Sequence, residues 1–464
     1  MNNELELFKK KSDIIKNSTL LLIAFATVFF PRLLDTLGFP PPINFVHFVI
    51  VPFASGLVLF QARTKNRNQF SISMSLLFGL AILFGVTIVS TQVNNAGIIN
   101  LFLEYLLLTE PYMFLLALIF IPMDKSSFTQ FRNWFIWFSC FHIFLALLQK
   151  LLLQIGIMRT TTMGIPWDNI QGVFYLSGSG HVVGASVSIS FGLYYLVSAK
   201  NSPLWLRASV FMAAFLQLLF ADAKQVLLVS MVSWGILILI NVKDIKLTIQ
   251  YLVAAIVISW ILIWCVQNLE LFRAFKTWIR PELYGPDGEA TILKTTGIKM
   301  IYSYYKSPFN WLFGLGPGHT IGRLGGWMLS KYWDLLKPLG ATIHPVSQQI
   351  SDVVWGSLLG RSSSMFSPLF GWAGIWGDLG FLGLGAYLYL FSIVWRRLCL
   401  DDFSKFLMLN VLIHGLIFSQ MEEPGYMLFV TGLIGLQWQE RRIAKAFKDR
   451  PYMGVDINRS FKLG

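Results

Sequence analysis

Residues 97–122 read GIINLFLEYLLLTEPYMFLLALIFIP, an apolar run in which the only charged side chains are Glu104 and Glu110. The hydrocarbon core of a bilayer is about 30 Å thick, and about 20 helical residues are needed to cross it. A chain inside this core must satisfy its own backbone hydrogen bonds, which a helix does. The stretch therefore predicts a transmembrane helix.

Further apolar runs of similar length occur along the whole chain. Together with the quoted run they lie at residues 18–37, 43–61, 70–90, 97–122, 132–154, 181–199, 204–221, 223–241, 247–267, 373–396, 402–419 and 424–439. Only 13% of the 464 residues are charged and 55% are hydrophobic, whereas soluble domains have about 25% charged residues. The sequence predicts an all-α, polytopic integral membrane protein with about twelve transmembrane helices and one large extracytoplasmic loop.

Basic residues are concentrated in alternate connecting loops. The loops rich in Lys and Arg lie at residues 63–67, 125–132, 200–207, 243–246 and 396–405. The short loop at residues 91–96 has no charged residue. Because cytoplasmic loops carry the positive charge of a membrane protein, this alternation predicts that both termini are cytoplasmic. It also accounts for the net charge of +13 without a nucleic-acid partner.

The predicted helices divide the chain into four regions. Residues 1–267 contain transmembrane helices 1 to 9, residues 268–371 form the large loop, residues 372–440 contain helices 10 to 12, and residues 441–464 form a basic cytoplasmic tail. The first apolar run follows several lysines and precedes no small-residue cleavage site, which predicts an uncleaved signal anchor. The three cysteines all lie outside the large loop and imply no disulfide framework.

The large loop is basic, with ten Lys and Arg residues against six Asp and Glu residues. The preference of Lys and Arg for the cytoplasmic side applies to short loops and not to long ones. The excess of basic residues in this loop is therefore informative about function. A basic surface that faces a membrane favours an anionic substrate or headgroup. The alternative is an ordinary solvated loop surface.

Three residues of the outer face could carry chemistry. His344, in a segment away from any apolar run, titrates near neutrality and could take a proton from a hydroxyl. Lys224 lies in the tight turn between the seventh and eighth helices, where it could hold a phosphate or reach the headgroups. Asp378 begins the tenth helix and could orient a histidine or cap the helix. Each also has a purely structural interpretation.

Carboxylates within a membrane helix form a further candidate set. Glu104 and Glu110 lie in the fourth span, and Pro111 follows. Such groups are either functional or hydrogen-bonded packing residues.

The ordered motifs of the second half resemble those of a known family. Phe313–Gly318 reads FGLGPG, His344 follows, and residues 377–383 read GDLGFLG before a span. This order, within about twelve spans and one large late loop, resembles the O-antigen ligase and polymerase superfamily of membrane glycosyltransferases. Members of that family transfer a lipid-linked glycan from undecaprenyl pyrophosphate to a hydroxyl acceptor.

The resemblance implies a role for each matching position. These are His344 as the base, Asp378 where the family often has glutamate, Gly314, Gly316 and Gly318 in the turn, and Lys224, Arg280, Lys294 and Arg323 as candidate pyrophosphate ligands. Lys224 and Lys294 stand where the family has arginine, and lysine cannot make a bidentate fork. No acidic metal-binding motif occurs in the outer loops, so we expect no metal or other cofactor.

The resemblance also implies partners and a location. The partners are a lipid-linked oligosaccharide, a glycan or lipid acceptor, the bilayer, and a flippase or chain-length regulator. The location is a bacterial inner (plasma) membrane. We expect an O-antigen or exopolysaccharide polymerase, with a ligase that joins glycan to lipid A core as the first alternative. A twelve-helix secondary transporter is the alternative from another class, supported by the polar residues within spans.

Overall fold

The computed structural model describes residues 16–61, 66–158, 166–175, 179–240, 245–269, 272, 281–362, 366 and 370–448. Within these residues the chain is helical and has no β-strand, which confirms the all-α class. The helices are α1 (Asn17–Phe29), α2 (Pro31–Thr36), α3 (His47–Gln61), α4 (Arg67–Val93), α5 (Ile98–Phe120), α6 (Lys125–Gln154), α7 (Gly180–Ser198), α8 (Leu204–Phe220), α9 (Lys224–Ile240), α10 (Ile245–Asn268), α11 (Pro281–Tyr284), α12 (Glu289–Tyr304), α13 (Pro308–Phe313), α14 (Leu329–Lys331), α15 (Trp333–Leu336), α16 (Pro345–Gly356), α17 (Leu358–Ser362), α18 (Gly371–Arg397), α19 (Asp402–Ile417) and α20 (Pro424–Lys448).

Seven described helices are long and apolar enough to cross a membrane. They are Pro41–Gln61, Arg67–Val93, Ile98–Phe120, Lys125–Gln154, Gly180–Ser198, Ile249–Asn268 and Gly371–Arg397. Three shorter apolar helices are Asn17–Phe29, Leu204–Phe220 and Lys224–Ile240. These helices support a membrane protein, and the count of twelve crossings stays a prediction.

The first apolar run forms two helices where the sequence suggested one span. Helix α1 ends at Phe29, and α2 begins at Pro31. Proline has no backbone N–H and a fixed φ, so it fits the first turn of a new helix better than a helix interior. The break places Arg32 at the start of α2, next to the loop that follows α13.

Helix α5, formed by the run quoted first, lies at the centre of the molecule. In its most apolar window 78% of the residues are buried, and it packs against α3, α4 and α20. Next to it Phe25 and Phe429 lie against the ring of Phe135, with centroids 4.6 and 5.0 Å away. Helix α10 is the opposite case, with no buried residue in its apolar window. Its exposed apolar surface suits contact with lipid.

The described part of residues 268–371 folds against the helical bundle. Helices α12 and α16 share a small core with the glycine-rich turn, formed by Ala290, Leu293, Ile301, Leu315, Ile321, Val346, Ile350, Val354, Phe366 and Ala373. A second cluster joins residues 324–341 to Phe48 of α3 and to Leu103 and Leu107 of α5. The loop is therefore fixed to the ends of α3, α5 and α18.

Candidate functional site

The late span that carries the second motif is interrupted at a glycine. Within α18, Gly380 has φ +66° and ψ −166°, which is not helical. A Cβ atom at this position would lie 2.3 Å from the carbonyl carbon of Leu312. Only glycine allows both this dihedral and this approach. The interruption brings the backbone of α18 into direct contact with the end of α13.

The glycine-rich turn binds the backbone of α18 just before that interruption. The N–H of Leu315 donates to the carbonyl of Gly377 at 2.8 Å, and the N–H of Gly316 donates to the carbonyl of Asp378 at 3.1 Å. Gly314 has φ +72°, and a Cβ there would lie 2.4 Å from the carbonyl carbon of Asp378. The two motifs therefore pack backbone to backbone, which explains why both are rich in glycine.

The side chain of Asp378 binds the backbone of Thr320, which follows the glycine-rich turn. This side chain is fully buried, and Oδ1 accepts the backbone N–H of Thr320 at 2.7 Å. The hydroxyl of Ser90 on α4 lies within hydrogen-bond distance of the carbonyls of Phe313 and Asp378, at 2.6 and 2.9 Å. The sequence left open that Asp378 caps its own helix, but α18 begins seven residues earlier, at Gly371. The carboxylate of Asp378 instead accepts a backbone N–H of the segment that follows the glycine-rich turn. Among the described residues, no hydrogen bond joins Asp378 to His344.

His344 is half-buried at the start of α16. Its Nδ1 accepts the N–H of Val346 at 3.2 Å, so it caps that helix. The ring lies between two others, with centroids 5.2 Å from Tyr304 and 5.5 Å from His319. Burial lowers the pKa of His344 below its usual value of 6.5. The imidazole is therefore neutral near pH 7, and it packs against two other rings.

His319, which no sequence motif singles out, joins the turn to the His344 segment. Its Nδ1 lies 2.8 Å from the carbonyl of Leu315, and its Nε2 lies 2.8 Å from Oγ1 of Thr342. A carbonyl can only accept, so Nδ1 carries the hydrogen and Nε2 accepts from Thr342. Burial lowers the pKa of His319 to about 4. It is a neutral residue that fixes the position of its neighbours.

Asn100 of α5 attaches the same two segments to the bundle. Its Nδ2 donates to the carbonyls of Pro317 and Thr342, both at 2.9 Å. Its Oδ1 accepts the N–H of Thr342 at 3.0 Å. One fully buried side chain thus fixes the turn relative to the residues before His344.

Arg323 lies just beyond the turn. Its guanidinium pairs with the carboxylate of Glu423, and its backbone N–H donates to Glu422. The guanidinium carbon lies 5.0 Å from the ring centroid of Trp327. Burial raises the pKa of Glu422 to about 8. The side chain of Arg323 is only 14% exposed, so it is a positioned cation rather than a loose surface group.

The two candidate lysines, Lys294 and Lys224, each contact a group outside the His344 segment. Nζ of Lys294 donates to the carbonyl of Ile417 at 2.9 Å, and burial lowers the pKa of Lys294 to about 7. Lys294 precedes Tyr304 by ten residues on α12, which is about 15 Å along a helix axis. Nζ of Lys224 lies 2.9 Å from Oδ2 of Asp222. Arg280 lies outside the described residues.

One buried segment has no counterpart among the sequence-based predictions. Residues 168–175 are all buried, although they belong to a connecting loop. Gln149 Oε1 accepts the N–H groups of Gln171 and Gly172 at 2.8 and 2.7 Å, and His142 Nδ1 accepts that of Val173 at 3.2 Å. The polar residues of α6 therefore satisfy backbone that enters the bundle.

The intramembrane carboxylates differ in their surroundings. Glu110 pairs with Nδ1 of His47 at 2.8 Å. Glu104 is also buried, and its Oε2 has no hydrogen-bond partner among the described residues. Among the described residues, neither glutamate forms a hydrogen bond with His344.

No model of a known protein family matches the chain, and no curated protein matches it.

Proposed function

We propose that this chain is a membrane glycosyltransferase that moves a saccharide from a prenyl-pyrophosphate-linked donor to a hydroxyl acceptor. The observation that carries the proposal is the convergence of the three motifs. The glycine-rich turn binds Gly377 and Asp378 of α18, and His319 of the same loop lies against His344. If each of the three motifs only stabilised its own loop, the motifs would have no need to contact one another.

The reaction needs a base, a good leaving group and positive charge near it. In the proposal, His344 takes the proton of the acceptor hydroxyl, and the acceptor oxygen forms a bond to the anomeric carbon. The bond from that carbon to the pyrophosphate oxygen breaks, and the electron pair leaves with the prenyl pyrophosphate. Direct displacement inverts the anomeric carbon. Cationic side chains such as Arg323 would stabilise the developing charge.

The hydrogen bond of His344 sets a condition on this role. Because Nδ1 accepts from Val346, the neutral ring carries its hydrogen on Nε2. To use Nε2 as the base, the hydrogen must move to Nδ1 and the bond to Val346 is lost. That loss costs about 1 kcal/mol, or about a fivefold loss in rate. General base catalysis contributes about 100- to 10,000-fold, so the cost is small beside the gain.

Within this class we propose a polymerase that extends an O-antigen or exopolysaccharide at the outer face of a bacterial inner membrane. A ligase would use the same donor with a lipid A core acceptor. A strain that lacks the chain separates the two: loss of long glycans supports a polymerase, and long glycans that stay unattached support a ligase.

The test of the transferase itself uses purified protein, a lipid-linked oligosaccharide donor and a matched pair of variants. We expect His344→Ala to lower transfer at least about 100-fold. Gln348→Ala, one turn along α16 and exposed, is the control and should keep full activity. Both variants should insert. Gln348→Ala should unfold thermally like the wild type, and His344→Ala should have a slightly lower Tm because it loses the cap of α16. Full activity of His344→Ala would refute the role of His344.

A further inference from the structure

Helix α13 is mostly apolar, and the fold leaves it largely uncovered. Its six residues read PFNWLF, and none of them is buried. Phe309, Trp311 and Leu312 are 58, 36 and 43% exposed. Single exposed apolar residues are common on any protein, whereas neighbouring ones mark a surface that contacts another protein or a membrane. The surface of α13 therefore has a partner that the fold itself does not supply.

Contacts with α4 fix the level of α13 along the bundle. The hydroxyl of Ser90 lies 2.6 Å from the carbonyl oxygen of Phe313, and Nδ2 of Asn310 donates to Oδ1 of Asn94 at 3.4 Å. Ser90 belongs to the last turn of α4, and Asn94 is the first residue after that helix. Helix α4 is long and apolar enough to cross a membrane. Helix α13 therefore lies level with the end of a predicted span, where a bilayer meets water.

The uncovered surface of α13 continues onto α18. The ring of Trp311 stacks on that of Phe381, with centroids 5.8 Å apart and planes at 12°. Phe381 and its neighbour Leu382 are themselves exposed. Helix α18 is also long and apolar enough to cross a membrane, so its exposed apolar side chains suit contact with lipid. The surface of α13 is thus continuous with a surface that faces lipid, rather than an isolated patch.

The residue types of this surface are those found where a bilayer meets water. Tyr302 of α12 is exposed and contacts Trp311, with ring centroids 5.7 Å apart. Trp and Tyr are enriched at membrane interfaces, because their rings are apolar and their N–H or O–H groups stay hydrated. Lys306 is exposed and precedes α13, and a lysine in this place reaches the phosphates of headgroups. These features favour lipid over a protein partner.

We propose that α13 lies in the leaflet of the bilayer on the side of the large loop, with Phe309, Trp311 and Leu312 in contact with lipid. Helix α13 leads directly into Gly314, and the turn that begins there binds the backbone of α18. The lipid contact therefore fixes the height of the glycine-rich turn relative to the membrane surface. This proposal depends only on insertion in a membrane, so it stands or falls independently of glycosyl transfer.

The experiment places a fluorescent probe on α13 of the full chain in nanodiscs. The three natural cysteines are replaced by alanine, and the fluorophore NBD is attached to Phe309→Cys or Leu312→Cys. The control is Gln348→Cys, at an exposed polar position of α16. Lipids with a nitroxide near the top of the acyl chain should quench positions 309 and 312 at least about twofold more than position 348, since the apolar face of an interfacial helix lies about 5–10 Å into the headgroup and acyl boundary. Iodide in the water should quench in the reverse order.

Two results would overturn the proposal. Quenching by iodide at positions 309 and 312 as strong as that at position 348 would place α13 in water. Protection of positions 309 and 312 from both iodide and the lipid nitroxides would show that a protein, such as a second copy of the chain, covers α13.

A measurement on the wild type avoids any folding defect of a variant. A lipid with a photoreactive diazirine near its headgroup should form adducts on residues 308–313 and not at Gln348, as read by mass spectrometry. Adducts on the long apolar helices but none on residues 308–313 would contradict the proposal.

Discussion

His344 shows how a single residue combines a structural and a chemical role. Its Nδ1 caps α16, and its ring packs between Tyr304 and His319. Burial lowers its pKa, so the form that can accept a proton is present at pH 7. That form is lost as the pH falls through the pKa.

The pH dependence of transfer follows from this shift. We expect kcat/KM to be constant near pH 7 and to fall in acid with an apparent pKa below 6.5, about tenfold per pH unit. The measurement is a pH profile of wild type, Gln348→Ala and His344→Gln. The first two should share the acid limb, and the residual rate of His344→Gln should lack it. An acid limb with an apparent pKa above 7 would contradict the assignment.

The residues that the sequence did not reveal are those whose partners are far away along the chain. Arg32 donates to Tyr332, 300 residues later, and Asn100 binds Thr342, 242 residues later. Neither residue belongs to a local pattern that indicates such a contact. His344 and the glycines could be selected because their motifs are local. The tautomer of His344 and the contacts of the glycines could not be predicted, because they depend on which backbone groups the fold brings close.

At the level of elements, the positions of the helices were largely predictable from hydrophobic runs. The exceptions have local causes. The first run divides at Pro31, and α18 changes direction at Gly380. In helix α12, the apolar residues Ile292 and Ile298 are exposed. Its buried face is formed instead by Ala290, Leu293, Gly297 and Ile301, because the small residues allow close packing.

The interruption of α18 can be tested by a matched pair of glycines. Gly380→Ala places a Cβ 2.3 Å from the Leu312 carbonyl carbon at positive φ. The dihedral alone costs about 1–3 kcal/mol, and the collision adds to it, so we expect a lower Tm and loss of transfer. At Gly385, farther along α18, a Cβ meets nothing within 4 Å. Gly385→Ala should therefore keep both properties. Equal Tm values for the two variants would contradict the close backbone contact.

At the level of the whole molecule, the helices form a bundle with the loop of residues 281–362 on one end. The seven long apolar helices support insertion in a membrane. The orientation remains a prediction from the basic loops, because charge sets orientation through the membrane rather than through contacts within the fold.

Orientation can be measured by labelling single cysteines in cells with an impermeant maleimide. The natural residues Cys140, Cys265 and Cys399 are first replaced by alanine. Asn95→Cys lies in an uncharged loop and should react from outside, whereas Asn201→Cys lies beside Lys200 and should not; both positions are exposed. Labelling of position 201 but not of position 95 would contradict the predicted orientation. It would place the proposed site on the cytoplasmic face.

The most direct test of the account is a single-turnover reaction of the purified protein in nanodiscs, with a donor labelled in both its saccharide and its lipid. The account predicts one prenyl pyrophosphate released for each saccharide transferred, with inversion at the anomeric carbon. Intact donor after incubation with active wild-type protein and acceptor would contradict it. Retention of the anomeric configuration would contradict direct displacement.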